Sequence, residues 1–327
     1  MIQVKQIKPI IVILIVISIA LGFIFGYFIK KNVTCNNSKY RYINSDLICD
    51  EKVTINKKSY ISLKIALEDK IKEDINKKQI TSASIYFRDL NDGPTLGIDE
   101  YNKFSPASLL KLPMLITYVN LSEEDPKLLD TEIGFDNIED SLDQFYPPKV
   151  TASPNTPYKI KELLTYMIKY SDNRSYYTLR EYLKQVDPKK DLLQQTFFDL
   201  GIIDPIKTTD DTISVKSYSS IFLQLYNNSF FLDRDASEQV LQVLSESDFD
   251  EGLKRGIPSG IRVAHKFGER SDLPSRENQL HDCGIIYYPQ NPYLLCVMTR
   301  GKDFNKLSDF IGEVSDMVYQ EFDSRKI

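Results

Sequence analysis

Phe104-Ser105-Pro106-Ala107-Ser108-Leu109-Leu110-Lys111-Leu112-Pro113 sets a serine and a lysine three residues apart at the head of an apolar, helix-prone run. On a helix, positions i and i+3 share a face, so the Lys111 amine comes within reach of the Ser108 hydroxyl. A serine hydroxyl is a weak nucleophile at its ordinary pKa and needs a neighbour to take its proton. A lysine can do this only where burial or nearby charge lowers its own pKa. Ser105 and Pro106 read as an N-cap and a first-turn proline, which puts Ser108 near the positive end of the helix. Alone, Ser-x-x-Lys is equally a capped helix with a solvated lysine, so the rest of the chain decides its meaning.

Upstream, residues 62–78 carry apolar side chains at helical spacing, and 83–90 and 95–99 read as two strands joined by a turn at Asn91-Asp92-Gly93. Downstream, helices are expected at 159–170, 176–183, 192–200, 215–226 and 238–244. Strands return at 260–267, 284–288 and 293–298, the last two flanking the turn Pro289-Gln290-Asn291-Pro292, and a final amphipathic helix covers 305–321. Strands at both ends with helices between them imply one sheet assembled from distant segments plus an all-helical lobe. A cleft between the two is where a ligand would bind.

The 327 residues hold 41 basic and 46 acidic side chains, a net charge of -5 that gives no reason to expect a nucleic-acid partner. Two histidines and four separated cysteines, without C-x-x-C or H-E-x-x-H spacing, argue against a zinc or iron site. No cofactor is therefore expected, and chemistry has to come from Ser, Lys, Asp, Glu, Tyr or Asn. Residues 9–29 carry no charge and are long enough to cross a bilayer, with no small-residue cleavage site after them. The reading is an uncleaved single-pass anchor in the cell membrane over 1–31, then a stalk or small cap over 32–61. Lys5 and Lys8 on one side balance Lys30 and Lys31 on the other, so charge barely decides the orientation. Cys35 and Cys49 bracket a polar loop and suit a disulfide in an oxidising exterior, two unpaired thiols being the alternative. Cys283 and Cys296, on two strands of one hairpin, read as buried thiols.

Three polar motifs now stand in order: Ser108-x-x-Lys111, Ser171-Asp172-Asn173 and Lys266-Phe267-Gly268. This order resembles the serine β-lactamase and penicillin-binding protein superfamily, class A β-lactamases in particular. Asp211-Thr212-Ile213-Ser214, Leu253-Lys254-Arg255-Gly256-Ile257-Pro258 and His281-Asp282-Cys283-Gly284-Ile285-Ile286 extend the resemblance over roughly 65–325. It implies an α/β fold, a three-layer sandwich of a mainly antiparallel sheet flanked by helices plus the helical lobe, spanning 62–327. It also implies roles. Ser108 would be acylated by a β-lactam or a D-Ala-containing peptidoglycan peptide, with Lys111 helping to deprotonate it. Ser171 would relay a proton, Asn173 would hold the substrate amide, and Lys266 would add positive charge. The N–H groups of Ser108 and Glu269 would form the oxyanion hole.

Two departures bear on that reading. Class A enzymes carry a glutamate on the loop before the Asp-Thr segment, where it activates the deacylating water. Between Glu181 and Glu238 this chain has none, and Asp204 is the one substitute to consider. An aspartate is a methylene shorter and would misplace the water, so deacylation should be slow. Phe267 stands where the family has a hydroxyl for the substrate carboxylate. Arg270 or Arg276 could supply a bidentate contact instead, unless each is a surface arginine. His265 should face away from Lys266 on its strand, in a packing role. The competing reading is a catalytically degenerate scaffold that binds cell-wall material or a partner.

Overall fold

The apolar spacing of 62–78 folds as α1, Ile61–Asn76, with Leu63, Leu67 and Ile71 along its buried side. The computed structural model describes residues 14, 16–19, 21–22, 39–45, 59–91, 93–136, 144–202, 212–272 and 277–325. Its contacts divide the chain into two units, 1–41 with 45–50, and 42–44 with 51–327. In the first, the described residues 14, 16–19 and 21–22 are helical. Among the described residues no helix is long and apolar enough to cross a membrane. Most of the 9–29 run, together with Cys35, Cys49 and their expected bridge, lies outside the described residues.

The larger unit is built on a five-stranded sheet. β1 (Ser82–Asp89) and β2 (Thr95–Ile98) form the expected hairpin, followed by the short β3 (Lys103–Phe104). α2 (Lys111–Glu124) opens the helical lobe, which continues through β4 (Glu132–Ile133), β5 (Tyr158–Lys159), α3 (Ile160–Lys169), α4 (Asn173–Val186) and α5 (Leu192–Asp199). β6 (Ile213–Ser214) pairs with β3 and leads to α6 (Val215–Tyr226) and α7 (Arg234–Ser245). β7 (Val263–Asp272), β8 (Glu277–Ile286), β9 (Tyr293–Gly301) and α8 (Phe304–Asp323) complete the chain. The sheet order is β2-β1-β9-β8-β7, antiparallel throughout, with β7 at an edge.

Alternation along β1 explains the layering. Ile85 and Phe87 point into one apolar cluster with Leu67 of α1 and Phe310, Val314 and Phe322 of α8. Tyr86 points the other way, where the Lys216 amine of α6 lies 4.5 Å from its ring centroid. Helices thus cover both faces, giving the expected sandwich with a helical lobe inserted between β2 and β7.

Two expectations are corrected. β7 and β8 each run past the ends read from the sequence, to Asp272 and back to Glu277 respectively. Cys283 and Cys296 are not thiols: they stand directly opposite in the β8–β9 register and are joined as a disulfide. Residues 42–44, within the segment read as a stalk or small cap, belong to the larger unit. The N–H groups of Tyr42 and Ile43 donate to Glu238 Oε2 at 2.9 and 3.1 Å, and Tyr287 Oη donates to the Tyr42 carbonyl.

Candidate active site

Ser108 lies on a 3-10 turn, Ala107–Leu110, that runs directly into α2 at Lys111. The expected N-cap is not there. Ser105 Oγ instead accepts from Arg270 Nη1 at 2.8 Å, and the Ser105 carbonyl accepts from His281 Nε2 at 3.0 Å. The chain enters the turn through Ala107 at φ +48°, a left-handed conformation that costs a non-glycine residue about 1 kcal/mol or more. Tyr218 Oη, donating to the Leu109 carbonyl at 3.0 Å, holds the turn from the α6 side. Gly268 lets β7 close on it: a Cβ there would sit 2.9 Å from the Pro106 oxygen and 3.1 Å from the Leu109 nitrogen. The glycine of the Lys-x-Gly motif is a packing requirement.

The Lys111 amine crosses the cleft, donating to the Ser171 carbonyl at 2.5 Å, Ser171 Oγ at 3.1 Å and Asn173 Oδ1 at 2.7 Å. Ser171, at φ +57°, is a second left-handed residue in the site. Between Ser171 and Asn173, Asp172 turns away and caps α4. Its carboxylate accepts from the N–H groups of Ala152, Arg174 and Ser175 and from the hydroxyls of Thr151 and Ser175. The Ser-Asp-Asn motif is therefore a helix cap and a cleft wall at once, with its two roles on alternate residues.

Lys266 approaches from β7 and donates to Ser171 Oγ at 3.1 Å and to the Phe267 carbonyl at 3.0 Å. Its side chain is fully buried. Burial first, and the Lys111 charge second, push its pKa well below the ordinary lysine value against the pull of Asp282, Glu269 and Asp248. Two amines thus converge on one hydroxyl, in surroundings that disfavour a proton on Lys266.

Glu269 follows on β7, and its side chain leaves the strand to accept the N–H groups of Phe145 and Tyr146, each at 3.1 Å. Burial raises its pKa above the usual carboxylate range, opposed by those hydrogen bonds and by Lys111 and Lys266. On the other wall, Asn173 Nδ2 donates to Gln144 Oε1 at 3.2 Å. Residues 144–146 therefore form a strap tied to Asn173 at one end and Glu269 at the other. Nothing in the sequence marks it: Gln144 precedes Asn173 by 29 residues, in a stretch without periodicity.

Phe267 carries no hydroxyl to the cleft. Its ring stacks on Phe249, with centroids 3.8 Å apart, and meets Tyr146 edge-on at 6.4 Å. Arg270 is turned to Ser105, on the face opposite Phe267, and so does not stand in for that hydroxyl. Arg276 and Asp204 lie outside the described residues. His265 faces away from Lys266, as its place on the strand requires, and pairs through Nδ1 with Asp282 at 2.9 Å. Asp282 also accepts the Leu253 N–H at 2.9 Å. A cavity of about 570 Å³ between α4 and α5, lined in part by Tyr176, Arg180 and Phe197, touches the Ser108 segment only at Leu110. Among the described residues no cluster of His, Cys, Asp and Glu is arranged to hold a metal ion.

His281, to which the sequence alone assigns no role, proves to be a positioning residue. Its Nε2–H donates to the Ser105 carbonyl and its Nδ1 accepts the Thr299 N–H at 3.3 Å, an arrangement only the neutral ring satisfies. Burial lowers its pKa from 6.5 to about 4. Its depressed pKa contributes stability that is complete above pH ~6.5 and is lost as pH falls to ~4, about 3 kcal/mol in all. Urea unfolding at pH 7 and pH 4.5 should show this loss, and His281→Gln should flatten that part of the pH dependence. An unchanged slope in the variant would contradict it.

A sequence profile described as the beta-lactamase enzyme family matches residues 66–322. No curated protein sequence matches the chain. Among solved structures, a point mutant of PBP-A in an acyl-enzyme complex with penicillin G is 22% identical. The alignment covers 80% of this chain and 97% of that one, with a TM-score of 0.63. A class A β-lactamase from Mycobacterium abscessus is 21% identical over 79% of this chain and 99% of its own, with a TM-score of 0.63. A β-lactamase from Xanthomonas campestris pv. campestris is 16% identical over 79% and 98%, with a TM-score of 0.64. Identities of this size carry the fold and not the activity. The profile match spans the sheet, the helical lobe and all three polar motifs, and on that extent the chain belongs to the β-lactamase enzyme family, with the class A fold.

Proposed function

We propose that the chain is a membrane-anchored serine hydrolase that forms an acyl-enzyme on Ser108 with β-lactams or D-Ala-containing cell-wall peptides and releases it slowly. The observation that carries this reading is the convergence of the Lys111 and Lys266 amines on Ser171 Oγ, across the cleft from the Ser108 turn. A hydroxyl accepting from two amines has filled its lone pairs, and its own proton is left to donate into the cleft. In the proposed sequence, Lys111 takes the Ser108 proton as Oγ bonds to the carbonyl carbon. The carbonyl oxygen becomes an oxyanion held by backbone N–H groups. The C–N bond then breaks while Ser171 protonates the departing nitrogen and is reprotonated by a lysine. The lowered pKa of Lys266 supports a site in which a charge on both lysines at once is disfavoured.

Hydrolysis of the ester needs an activated water. The absence of any glutamate between Glu181 and Glu238 supports slow release. The charge-free 9–29 run supports an anchor, and the Cys35 and Cys49 pair supports a catalytic domain outside the cell, where a β-lactam or cell-wall peptide would meet it. A second reading, a scaffold that binds without chemistry, draws support from the strap bound to Asn173 and from the loss of the hydroxyl at Phe267.

One experiment separates them. Intact cells producing the full chain are exposed to a fluorescent penicillin and then fractionated. The expected result is a labelled band that pellets with membranes, is absent in Ser108→Ala, and fades over minutes or longer after a chase. Binding without a covalent label at high reagent concentration would favour the scaffold, and rapid turnover of a chromogenic cephalosporin would overturn slow release.

A further inference from the structure

Three rows of side chains cross β7, β8 and β9 on the face that meets the Ser108 turn. The register sets Arg270, Gln279 and Arg300 side by side, then Gly268, His281 and Met298, then Lys266, Cys283 and Cys296. Residues opposite one another share a face, and successive rows stand about 7 Å apart. Each row meets a different part of the site. The first grips the segment that enters the turn. Arg300 donates to the Lys103 carbonyl and lies over the Phe104 ring at 4.3 Å. Gln279 Oε1 accepts the Ser105 N–H at 3.0 Å, and Arg270 Nη1 donates to Ser105 Oγ at 2.8 Å. From the second row His281 donates to the Ser105 carbonyl at 3.0 Å, and Gly268 leaves room for Pro106 and Leu109. The third row delivers the Lys266 amine to Ser171 Oγ.

Ser105 thus has its N–H, its carbonyl and its hydroxyl each bonded to a side chain of the sheet. It lies three residues before Ser108, and Arg270 directly follows Glu269. The grip therefore ties together the two stretches of backbone whose N–H groups would hold the oxyanion. Only Pro106, with its fixed φ, and Ala107, at φ +48°, separate the held residue from Ser108. A shift at Ser105 is passed along this short, stiff connection to the nucleophile.

We propose that Gln279 and Arg270 are positioning residues for acylation, acting with His281 through Ser105 to set Ser108 against the Glu269 N–H. The proposal rests on the acylation reading above for its reaction and on the three bonds to Ser105 for its geometry. A reacting group misplaced by about 1 Å costs on the order of 10²-fold in rate.

The test is the concentration dependence of acylation of the full chain by penicillin G, followed by intact mass. It separates the rate at saturation from the concentration that half-saturates it. Gln279→Leu, close in size and without an acceptor, should lower the saturated rate about 10–100-fold and leave the half-saturating concentration within about threefold. Gln279→Glu, which accepts the same N–H, should recover most of that loss. Arg270→Met and Ser105→Ala remove one bond from its two ends. Each should slow the saturated step, and the double variant no more than the slower single one. A merely structural role lowers the melting temperature without this split or this rescue. An unchanged saturated rate in Gln279→Leu, an equal loss in Gln279→Glu, or additive losses at Arg270 and Ser105 would overturn the proposal.

A second measurement does not depend on the chemistry. Amide hydrogen exchange over 105–110 should quicken at least tenfold in Gln279→Leu while β1 and α8 exchange as in wild type. Unchanged exchange over 105–110 overturns the grip on Ser105 even where acylation is seen. Quickened exchange with no acylation of wild type at high reagent concentration keeps the grip and overturns the acylation reading, and the role in positioning with it.

Discussion

Lys111→Met is expected to slow acylation of Ser108 by a penicillin about 10²–10⁴-fold, the usual contribution of a positioned proton acceptor. Methionine nearly preserves the volume of the stem, which is buried at the head of α2. It removes the one group that both follows Ser108 by a turn and bonds Ser171 and Asn173. The rate of mass gain in single-turnover conditions is the measurement, with thermal unfolding as the control for folding. Loss of the Lys111 charge also removes one of the causes that lower the Lys266 pKa. The pH profile of the residual reaction should therefore move upward. A rate within threefold of wild type would remove Lys111 from the mechanism.

Asp172→Ala is expected to cost about 4 kcal/mol of stability. The carboxylate is fully buried and accepts from five donors on 151–152 and 174–175. Loss of a helix cap alone costs about 1–2 kcal/mol, and buried donors left without an acceptor add about 1–3 kcal/mol each before the structure relaxes. Asp172→Asn, which keeps one acceptor oxygen, should lose about half as much. Urea midpoints on the three proteins give the answer, and a loss below about 1 kcal/mol in the alanine variant would show that the Thr151–Ala152 segment and α4 are held by other contacts. Acylation by the folded fraction of Asp172→Asn should remain measurable, because Asp172 faces away from the two lysines.

Most of the scaffold is legible because its elements bury apolar side chains at regular spacing. α6, read as 215–226, is found as Val215–Tyr226. β8 reads seven residues short for a physical reason. Gln279, His281 and Asp282 face buried polar partners, Ser105 N–H, Ser105 C=O and His265, so the strand carries no apolar alternation there. The disulfide escapes because pairing Cys283 with Cys296 depends on the register of the hairpin, which the turn residues alone do not fix. In the site, motif order anticipates that Lys111, Ser171, Asn173 and Lys266 share one cleft. It cannot tell that Lys111 bonds across the cleft, or that Ser105 serves β7 and β8 instead of a helix. The strap is illegible for a different cause: its two ties are single long-range hydrogen-bonded groups, and those leave no local pattern.

The pairing of β1 with β9 has a consequence for biogenesis. Ser82 lies opposite Arg300 in the register, so the centre of the sheet joins segments more than 200 residues apart. At about 5–20 residues per second, a nascent β1–β2 hairpin waits on the order of 10–40 s for its partner. During that wait its apolar strand edge is open to other chains, and contact order of this kind makes closure slow even once the partner arrives. Lys266 is carried on β7, an edge strand that joins the sheet through β8 and β9, so its approach to Ser171 depends on those pairings. Acylation competence would therefore report on chains that have completed the sheet, and a chain truncated before β9 would retain all three motifs without a centre in which to use them.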